Sequence, residues 1–235
     1  MITEPSKKEV VREMFNDISS RYDFLNHFLS FGIDFLWRKK LVRLLRDARP
    51  VSVLDVATGT ADLAIAIAES SGAAKIAGVD ISAKMLEVGR KKVTAKQMER
   101  IILLQCADAE CLPFPDNSFD AITVAFGVRN FENLEIGLTE MRRVLRPGGT
   151  VLILEFSHPS SFPMKQLYTF YSAYMIPFIG RLISGNSRAY RYLPESVAAF
   201  PSGNSFLSIL SRVGLKNGRV YPLSAGIASI YKAEK

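Results

Sequence analysis

The first fifty residues carry apolar and polar positions with the period of a helix. Ser6 and Glu9 have the spacing of a capping box, which predicts that a helix begins there. From Trp37 onward, apolar residues recur at helical spacing and leave a basic face opposite. The aromatic-rich stretch between these two helices, residues 21–35, has little periodicity. The pattern therefore predicts an N-terminal helical cap over residues 1–49.

After residue 50, apolar runs of strand length alternate with helical patterns. Such alternation is typical of a parallel sheet with helices on both faces. The sequence therefore predicts an α/β domain over residues 50–235, whose last two strands pair as a hairpin at the sheet edge. The predicted strands cover residues 51–56, 75–80, 101–106, 119–126, 150–156, 217–223 and 227–232, and the predicted helices cover about 60–70, the segment after Ser82, 133–146 and 203–213.

Composition indicates a globular protein with a substantial core, since 48% of the 235 residues are hydrophobic and 23% are charged. Cys106 and Cys111 form no CxxC pair, and the chain has only two histidines, so we expect neither a disulfide scaffold nor a metal site. The N-terminus lacks the apolar core of a secretory signal. No uncharged apolar run reaches the roughly 20 residues that a membrane-spanning helix needs. We therefore expect a cytoplasmic protein, or at most one that lies peripherally on the inner face of the membrane.

The net charge of +7 arises in the last third of the chain, where residues 161–235 hold nine Lys and Arg but only the acids Glu195 and Glu234. A basic surface attracts nucleic acid, anionic lipid or an acidic substrate, although a solvated basic face has the same composition. Within this third, residues 160–193 are too apolar for an ordinary surface connection. We expect them to form one or two short helices, inserted after the fifth strand.

The first strand ends in a small-residue turn, VLDVATGTAD at residues 53–62. A dinucleotide-binding loop has the pattern G-x-G-x-x-G, whereas this turn has only Gly59, with alanines at positions 57 and 61. The alanines argue against a pyrophosphate on the following helix. Asp80 ends the second strand, where a carboxylate can accept both hydroxyls of a ribose in NAD or S-adenosylmethionine enzymes. The ligand is expected at the carboxyl ends of these strands.

Several segments resemble known methyltransferases. The turn after Asp55, LPFPDNSFD at 112–120 and VLRPGG at 144–149 resemble segments of class I S-adenosylmethionine-dependent methyltransferases. YDFLN at 22–26 and FGVRN at 126–130 narrow the resemblance to the UbiE/MenG/COQ5 family, over residues 10 to 233. It implies a Rossmann-like fold with a seven-stranded, mostly parallel sheet, helices on both faces, an N-terminal helical lid and a helical insertion after strand five.

The resemblance also implies an activity, which is methyl transfer from S-adenosylmethionine to a ring carbon of a polyprenylated hydroquinone. The expected reaction converts demethylmenaquinol to menaquinol. A ubiquinone-pathway 2-polyprenyl-6-methoxy-1,4-benzoquinol, both head groups, or another phenol or lipid remain as alternatives. A non-catalytic protein that only binds the cofactor is a further alternative.

The site residues are assigned by position on this pattern. Arg129, after strand four, is expected to stabilise the hydroquinone oxyanion or to orient a water that takes the proton. Asn130 either positions the substrate or caps a helix over residues 131–146. His27 and His158 are expected to be structural rather than catalytic bases. The residues expected to bind S-adenosylmethionine are Tyr22, Asp55, Gly59, Thr60, Asp80, Asp108 and Ala109, with Asp108 accepting the adenine amino group.

The sequence departs from the family pattern at four positions. Leu25 replaces the usual Met and Arg146 the usual Lys, and both changes are mild. Asp34 stands at a usual His position, which puts any role of that imidazole in doubt. Ala125 stands where many members carry a Ser, so one cofactor hydrogen bond is missing or comes from backbone.

The expected partners follow from the implied substrate. A polyprenyl tail needs an apolar channel that opens near the bilayer, so residues 160–193 are expected to form a lid, with Arg181, Arg188 and Arg191 beside the membrane. A dimer interface or a buried core helix would explain the same apolar segment, and a homodimer is a further expectation. Nucleic acid is not expected as a substrate, because the segment after strand four lacks an amino-methylation motif and the cysteines lack a Pro-Cys setting.

Overall fold

The computed structural model describes residues 5–159, 162, 166 and 187–235. Most of the expected lid and membrane-contacting segment, residues 160–193, therefore lies outside the described residues. The helices are α1 (Lys7–Ile18), α2 (Tyr22–Leu29), α3 (Ile33–Arg46), α4 (Asp62–Ser70), α5 (Ala83–Ala95), α6 (Leu134–Val144), α7 (Ser187–Ala199) and α8 (Asn204–Arg212). The strands are β1 (Ser52–Val56), β2 (Lys75–Asp80), β3 (Ile102–Cys106), β4 (Phe119–Ala125), β5 (Leu145–Phe156), β6 (Lys216–Leu223) and β7 (Ala228–Glu234).

The seven strands form one sheet in the order β3-β2-β1-β4-β5-β7-β6. The first five pair in parallel, and β7 runs antiparallel between β5 and β6. The predicted seven-stranded, mostly parallel sheet with an edge hairpin is thereby confirmed. After β3 the chain crosses back to β4 on the other side of β1, so the loops after β1 and β4 diverge and open a crevice at the carboxyl edge.

Apolar side chains cover both faces of the sheet. On one face, Leu41 of α3 and Ile67 of α4 are fully buried against strand residues. On the other face, Leu138 of α6 and Phe206 of α8 are also fully buried. Since burying one such side chain stabilises a fold by about 1.5–3 kcal/mol, these two layers hold the carboxyl edge of the sheet in place.

The helix starts follow local capping chemistry at most positions. Ser6 and Glu9 form the predicted capping box, with each side chain accepting the other residue's backbone N–H. The Ser82 side chain caps α5 by accepting the Met85 N–H. Helix α2 is different, because sequence periodicity gave no sign of it. At eight residues it is too short for a helical period to stand out, and the turn at residues 30–32 interrupts the pattern before α3 begins.

Strand β5 begins earlier than predicted. The sequence placed its start at Thr150, after a break at Pro147, whereas the structure continues the strand back to Leu145. The β4–β5 register shifts at this point, which lets Arg146 to Gly149 bulge out of the ladder. Pro147 has no N–H to donate, and Gly148 has a φ of +75°, so both residues suit a bulge better than regular pairing.

The turn after β1 holds alanine where the backbone favours glycine. Ala57, Gly59 and Ala61 have φ values of +53°, +57° and +67°. An L-residue in this left-handed region costs about 1–2 kcal/mol, so packing must compensate. At Ala57 the compensation involves Gly127, where an added Cβ would lie 2.5 Å from the Ala57 Cβ. The methyl group is therefore accommodated because the facing residue after β4 has none.

The close approach of residues 57 and 127 predicts that one substitution destabilises the fold and that a second one partly compensates for it. Gly127→Ala should lower the free energy of unfolding by about 1–3 kcal/mol, because the new methyl overpacks against Ala57. Adding Ala57→Gly should restore at least half of that loss, since it removes the opposing Cβ. Urea unfolding of Gly127→Ala, Ala57→Gly and the double variant, each compared with wild type, measures both effects. Equal instability of the single and double variants would show that the two methyl positions do not compete.

Candidate active site

An open cleft lies at the carboxyl ends of β1, β2, β3 and β4. The cap covers it from one side and the strand ends form its floor. Of the residues expected at the site, Tyr22, Gly59, Asp80, Asp108, Ala109 and Asn130 line the cleft, as do Ala125 and the cap residues Lys8, Val11 and Phe15. The topological switch point therefore brings together most of the predicted set.

Asp80 joins the ends of β1 and β2. Its carboxylate accepts the Gly59 N–H and the Ser82 N–H, both at 2.8 Å. Burial raises the pKa of Asp80, and these backbone donors oppose the shift. Each carboxylate oxygen can accept a further hydrogen bond, so the side chain fits the expected pair of ribose hydroxyls.

Asp55 and Thr60 lie beneath the turn rather than in the cleft. The Asp55 carboxylate accepts hydrogen bonds from the hydroxyls of Thr58 at 2.7 Å and Thr123 at 2.6 Å, and only 1% of the residue is exposed. Thr60 is also buried, and its hydroxyl donates to Asp23 at 2.5 Å. Both side chains support the turn from below, and their direct contact with the cofactor stays a prediction.

Asp108 lines the cleft but already has partners. The Lys8 ammonium lies 2.6 Å from one Asp108 oxygen, and the other accepts the Glu110 N–H at 2.9 Å. Lys7, the neighbouring residue of α1, donates to the carbonyl oxygen of Phe131. Helix α1 is thus fastened across the mouth of the cleft, and an adenine amino group would share Asp108 with Lys8. Sequence reasoning missed both lysines, because only the fold brings α1 to this edge.

Arg129 is held in a buried ion pair. Its Nη1 donates to Glu155 Oε1 at 2.7 Å and to the Phe126 carbonyl, and its guanidinium lies 5.4 Å from the ring centre of Phe156. Glu155 is fully buried, and burial raises its pKa against the opposing charge of Arg129. Within the described part of the chain, Arg129 Nε is a buried polar atom without a hydrogen-bond partner. Arg129 does not line the cleft, so its expected contact with the hydroquinone oxygen stays a prediction.

Asn130 does reach the cleft. Its Oδ1 accepts the hydroxyl of Tyr192 at 3.0 Å, and its Nδ2 donates to the Phe126 carbonyl at 3.4 Å. The alternative that Asn130 caps the next helix is wrong, because Asn133 caps α6 by accepting the Ile136 N–H at 3.1 Å. Tyr192 was not singled out in the sequence, and it comes from α7, far along the chain.

The cap is tied to the sheet by ion pairs below the cleft. Lys92 of α5 lies 3.0 Å from Asp23 of α2 and also bonds Asp62, the first residue of α4. Because Asp23 follows Tyr22 directly, this contact fixes the helix that carries a cleft-lining ring.

A second set of contacts lies within the cap itself. Asp34 is buried and accepts Arg38 Nη1 at 2.8 Å, His27 Nδ1 at 2.8 Å and the Ser30 hydroxyl at 2.5 Å. These contacts give the His27 ring a structural role. They also show what Asp34 does at the position where the family usually has His. His158 is likewise engaged, with Nε2 3.1 Å from the Val197 carbonyl. Within the described residues, no trio of His, Cys, Asp or Glu side chains is placed to hold a metal ion.

The burial of Asp55 predicts a pH dependence of stability. Desolvation raises the pKa of Asp55 to about 6 from an ordinary value of 3.8, although the threonine hydroxyls oppose the shift. The folded state thus binds the proton more tightly than the unfolded state, so stability falls as pH rises from about 4 to 6. The size is at most about 3 kcal/mol, since one pKa unit is worth about 1.4 kcal/mol.

Asp55→Asn should remove this contribution. The free energy of unfolding of wild type minus that of the variant should decrease between pH 4 and pH 6.5 and then level off, when both are measured by urea unfolding. Taking the difference cancels the contributions of the other carboxylates. A constant difference across this range would mean that Asp55 does not titrate with a raised pKa.

The chain is similar to known proteins along nearly its whole length. A sequence profile of the ubiE/COQ5 methyltransferase family matches residues 3–235. The chain is 45% identical to a demethylmenaquinone methyltransferase of Porphyromonas gingivalis, with 99% of this chain and 96% of the relative aligned. It is 48% identical to a ubiquinone/menaquinone biosynthesis C-methyltransferase UbiE of Geotalea daltonii, with 97% of each chain aligned.

Among solved structures, a SAM-dependent methyltransferase from Aquifex aeolicus has the same fold, with a TM-score of 0.53 and 19% identity over 78% of this chain and 81% of that one. The predicted Rossmann-like fold is thereby confirmed, and the match to the methyltransferase family confirms S-adenosylmethionine as the cofactor. The full-length profile match and the two relatives together show that the chain belongs to the ubiE/COQ5 methyltransferase family.

Proposed function

We propose that the protein methylates a ring carbon of demethylmenaquinol, with S-adenosylmethionine as the methyl donor, to form menaquinol. The observation that carries the proposal is the end-to-end similarity to a relative named demethylmenaquinone methyltransferase, in which 99% of this chain aligns. The cleft supports it, because one part presents the Asp80 carboxylate and another presents neutral hydrogen-bonding groups beside aromatic rings.

The cofactor would lie on the β1–β2 side of the cleft. Asp80 is positioned to accept two hydroxyls while Gly59 and Ser82 hold its carboxylate in place. Gly59 has no side chain and a φ of +57°, so its backbone can turn tightly and approach a ligand closely. When bound, S-adenosylmethionine supplies an electrophilic methyl group.

The acceptor ring would lie on the β4 side, near Asn130 and Tyr22. Burial raises the pKa of Tyr22, with the Arg129 charge opposing, so the phenol stays protonated and can donate to a ring oxygen. Burial likewise raises the pKa of Tyr192, which therefore remains a donor to Asn130 Oδ1. This contact fixes the orientation of the Asn130 amide beside the cleft.

Asn130 and Tyr22 would hold the ring in place and stabilise negative charge on its oxygen. The acceptor carbon lies ortho to a phenolic oxygen, and stabilising negative charge on that oxygen makes the carbon a better nucleophile. Alignment of the two reacting groups can contribute roughly 7–11 kcal/mol when water is excluded. Arg129 is a positioning residue in this proposal, because Glu155 neutralises it and the pair holds the loop that carries Asn130.

A benzoquinol is a second candidate substrate, and the name of one relative supports it. The Geotalea daltonii relative carries both ubiquinone and menaquinone in its name, at 48% identity. A benzoquinol in the same cleft would use the same oxygen contacts, and it would lack only the second ring of the naphthoquinol.

An assay with labelled methyl donor tests the proposal. Purified protein, methyl-labelled S-adenosylmethionine and either a demethylmenaquinol or a demethylated benzoquinol with a short prenyl chain are incubated under reducing conditions. We expect label in a ring C–CH₃ group, with the naphthoquinol methylated faster. Cofactor binding without label in either ring would favour a non-catalytic protein, and label on oxygen would exclude C-methylation.

Two asparagines provide a matched pair for the same assay. Asn130→Ala should lower kcat by roughly ten- to a hundredfold, because it removes a hydrogen-bonding group from the cleft, and it should cost about 1–3 kcal/mol of stability through the lost contacts with Tyr192 and the Phe126 carbonyl. Asn133→Ala should cost about 1 kcal/mol of stability, as expected for a lost helix cap, and leave turnover of the folded enzyme unchanged. Near-normal turnover by Asn130→Ala would remove this residue from the substrate site.

A further inference from the structure

Helices α2 and α3 of the cap present large apolar side chains to solvent. On α2, Phe24 is 60% exposed and Phe28 is 45% exposed, and the two rings stack with centres 5.9 Å apart. On α3, Phe35 is 54% exposed and Leu36 is 65% exposed. We call these four residues the cap face. Four large apolar groups on two consecutive helices exceed the scattered exposure that is normal for a surface.

The cap face and the cleft lie on opposite sides of α2. Tyr22 lines the cleft, whereas Phe24 is two residues later and therefore about 200° further around the helix. Phe28 follows Phe24 by four residues and shares its side of the helix. A partner on the cap face would therefore contact the same short helix that supplies a wall of the cleft.

On α2 and α3 the acids and the exposed cations lie on different sides. The acids of α2 and α3 are Asp23 and Asp34, and both are turned inward and paired, Asp23 with Lys92 and Asp34 with Arg38. No acid of these two helices is left to face outward.

The cations of α3 lie on the outer side. Lys39 and Arg43 are exposed, three and seven residues after Leu36, and so share its side of the helix. Across the part of the chain that the structure describes, no carboxylate lies within ion-pair distance of either side chain. The outward surface thus combines apolar groups with uncompensated positive charge.

We infer that the cap face docks on an anionic lipid bilayer. Its apolar side chains enter the interface, and Lys39 and Arg43 contact the headgroups, as in other interfacial helices. None of the helices within the described residues is both long and apolar enough to cross a bilayer. The inference rests on the proposed function for its purpose, because a polyprenylated hydroquinone dissolves in lipid. It assigns membrane contact to α2 and α3, whereas the sequence suggested only residues 160–193.

A second copy of the chain fits this surface less well. An isologous dimer through the cap face would bring two sets of the same cations together, without outward acids from α2 and α3 to pair with them. An anionic bilayer supplies the opposite charge along with the apolar phase. Charge complementarity therefore favours lipid over self-association.

Vesicle flotation of the full-length protein, without substrate or cofactor, tests the inference. Wild type should bind vesicles of equal parts phosphatidylcholine and phosphatidylglycerol more tightly than pure phosphatidylcholine, and about 0.5 M NaCl should weaken the difference. Phe24→Ser with Phe28→Ser should lower the partition coefficient at least about tenfold, from lost apolar burial. Lys39→Glu with Arg43→Glu should do the same at low salt.

Matched controls use exposed apolar residues elsewhere. Leu103 on β3 is 68% exposed and Ile136 on α6 is 48% exposed, so Leu103→Gln and Ile136→Gln should leave vesicle binding unchanged. Unchanged melting temperatures would show that the cap-face variants fold. Wild-type binding by these variants, or a dimer that they dissociate without any vesicle binding, would overturn the inference.

An assay of methyl transfer distinguishes a failure of this inference from a failure of the proposed function. The cap-face variants should retain turnover of a short-chain hydroquinone that dissolves in water and lose turnover only of a substrate held in vesicles. If no hydroquinone is methylated while flotation follows the expected pattern, the proposed function fails and the lipid surface stands.

Discussion

A buried guanidinium must be neutralised where it lies, and this requirement organises the β4 side of the cleft, where we propose that the substrate binds. Glu155, at the end of β5, pairs with Arg129 in the turn after β4 and so joins two neighbouring strand ends. The same turn supplies Asn130 to the cleft, receives Tyr192 from α7, and accepts Lys7 of α1 on the Arg129 carbonyl. Cap, sheet and C-terminal helices therefore meet on one loop, in which the ion pair is the contact between two buried charges.

The cofactor side depends on a different constraint, which is the tight turn after β1. Asp80 holds Gly59 from one side, and the buried Asp55 supports the turn through Thr58. The turn keeps left-handed backbone at Ala57, which has space because the facing residue is Gly127. Gly127 directly precedes the turn that carries Arg129, so the two sides of the cleft are packed against each other.

Much of the fold was predictable, because strands and caps have local signals. Short apolar runs predicted the strand limits. Ser6 and Ser82 predicted the starts of α1 and α5, because each side chain caps its helix. Helix α2 was not predictable by periodicity, since it has only eight residues and a turn follows it directly. The start of β5 depended on a bulge that only strand pairing reveals.

The candidate site divides in the same way. Gly59 and Asp80 were predictable because they follow strand ends, where parallel sheets place ligands. Lys8, Glu155 and Tyr192 gave no local signal, since each acts through a contact with a residue remote in sequence. For the same reason Arg129 looked like a free cation in the sequence, whereas the fold gives it a buried carboxylate partner.

The central claim is that Arg129 places Asn130 rather than acting on the substrate. Stability, cofactor binding and methyl transfer of Arg129→Gln, Glu155→Gln and the double variant test it most directly. Each single variant should lose about 3–5 kcal/mol, because it leaves one buried charge unpaired, and the double variant should lose less than either. The folded double variant should keep methyl transfer to within roughly tenfold, because the two glutamine amides can hydrogen-bond to each other in place of the ion pair and hold Asn130 without either charge. A double variant that folds and binds S-adenosylmethionine normally but transfers no methyl group would contradict it.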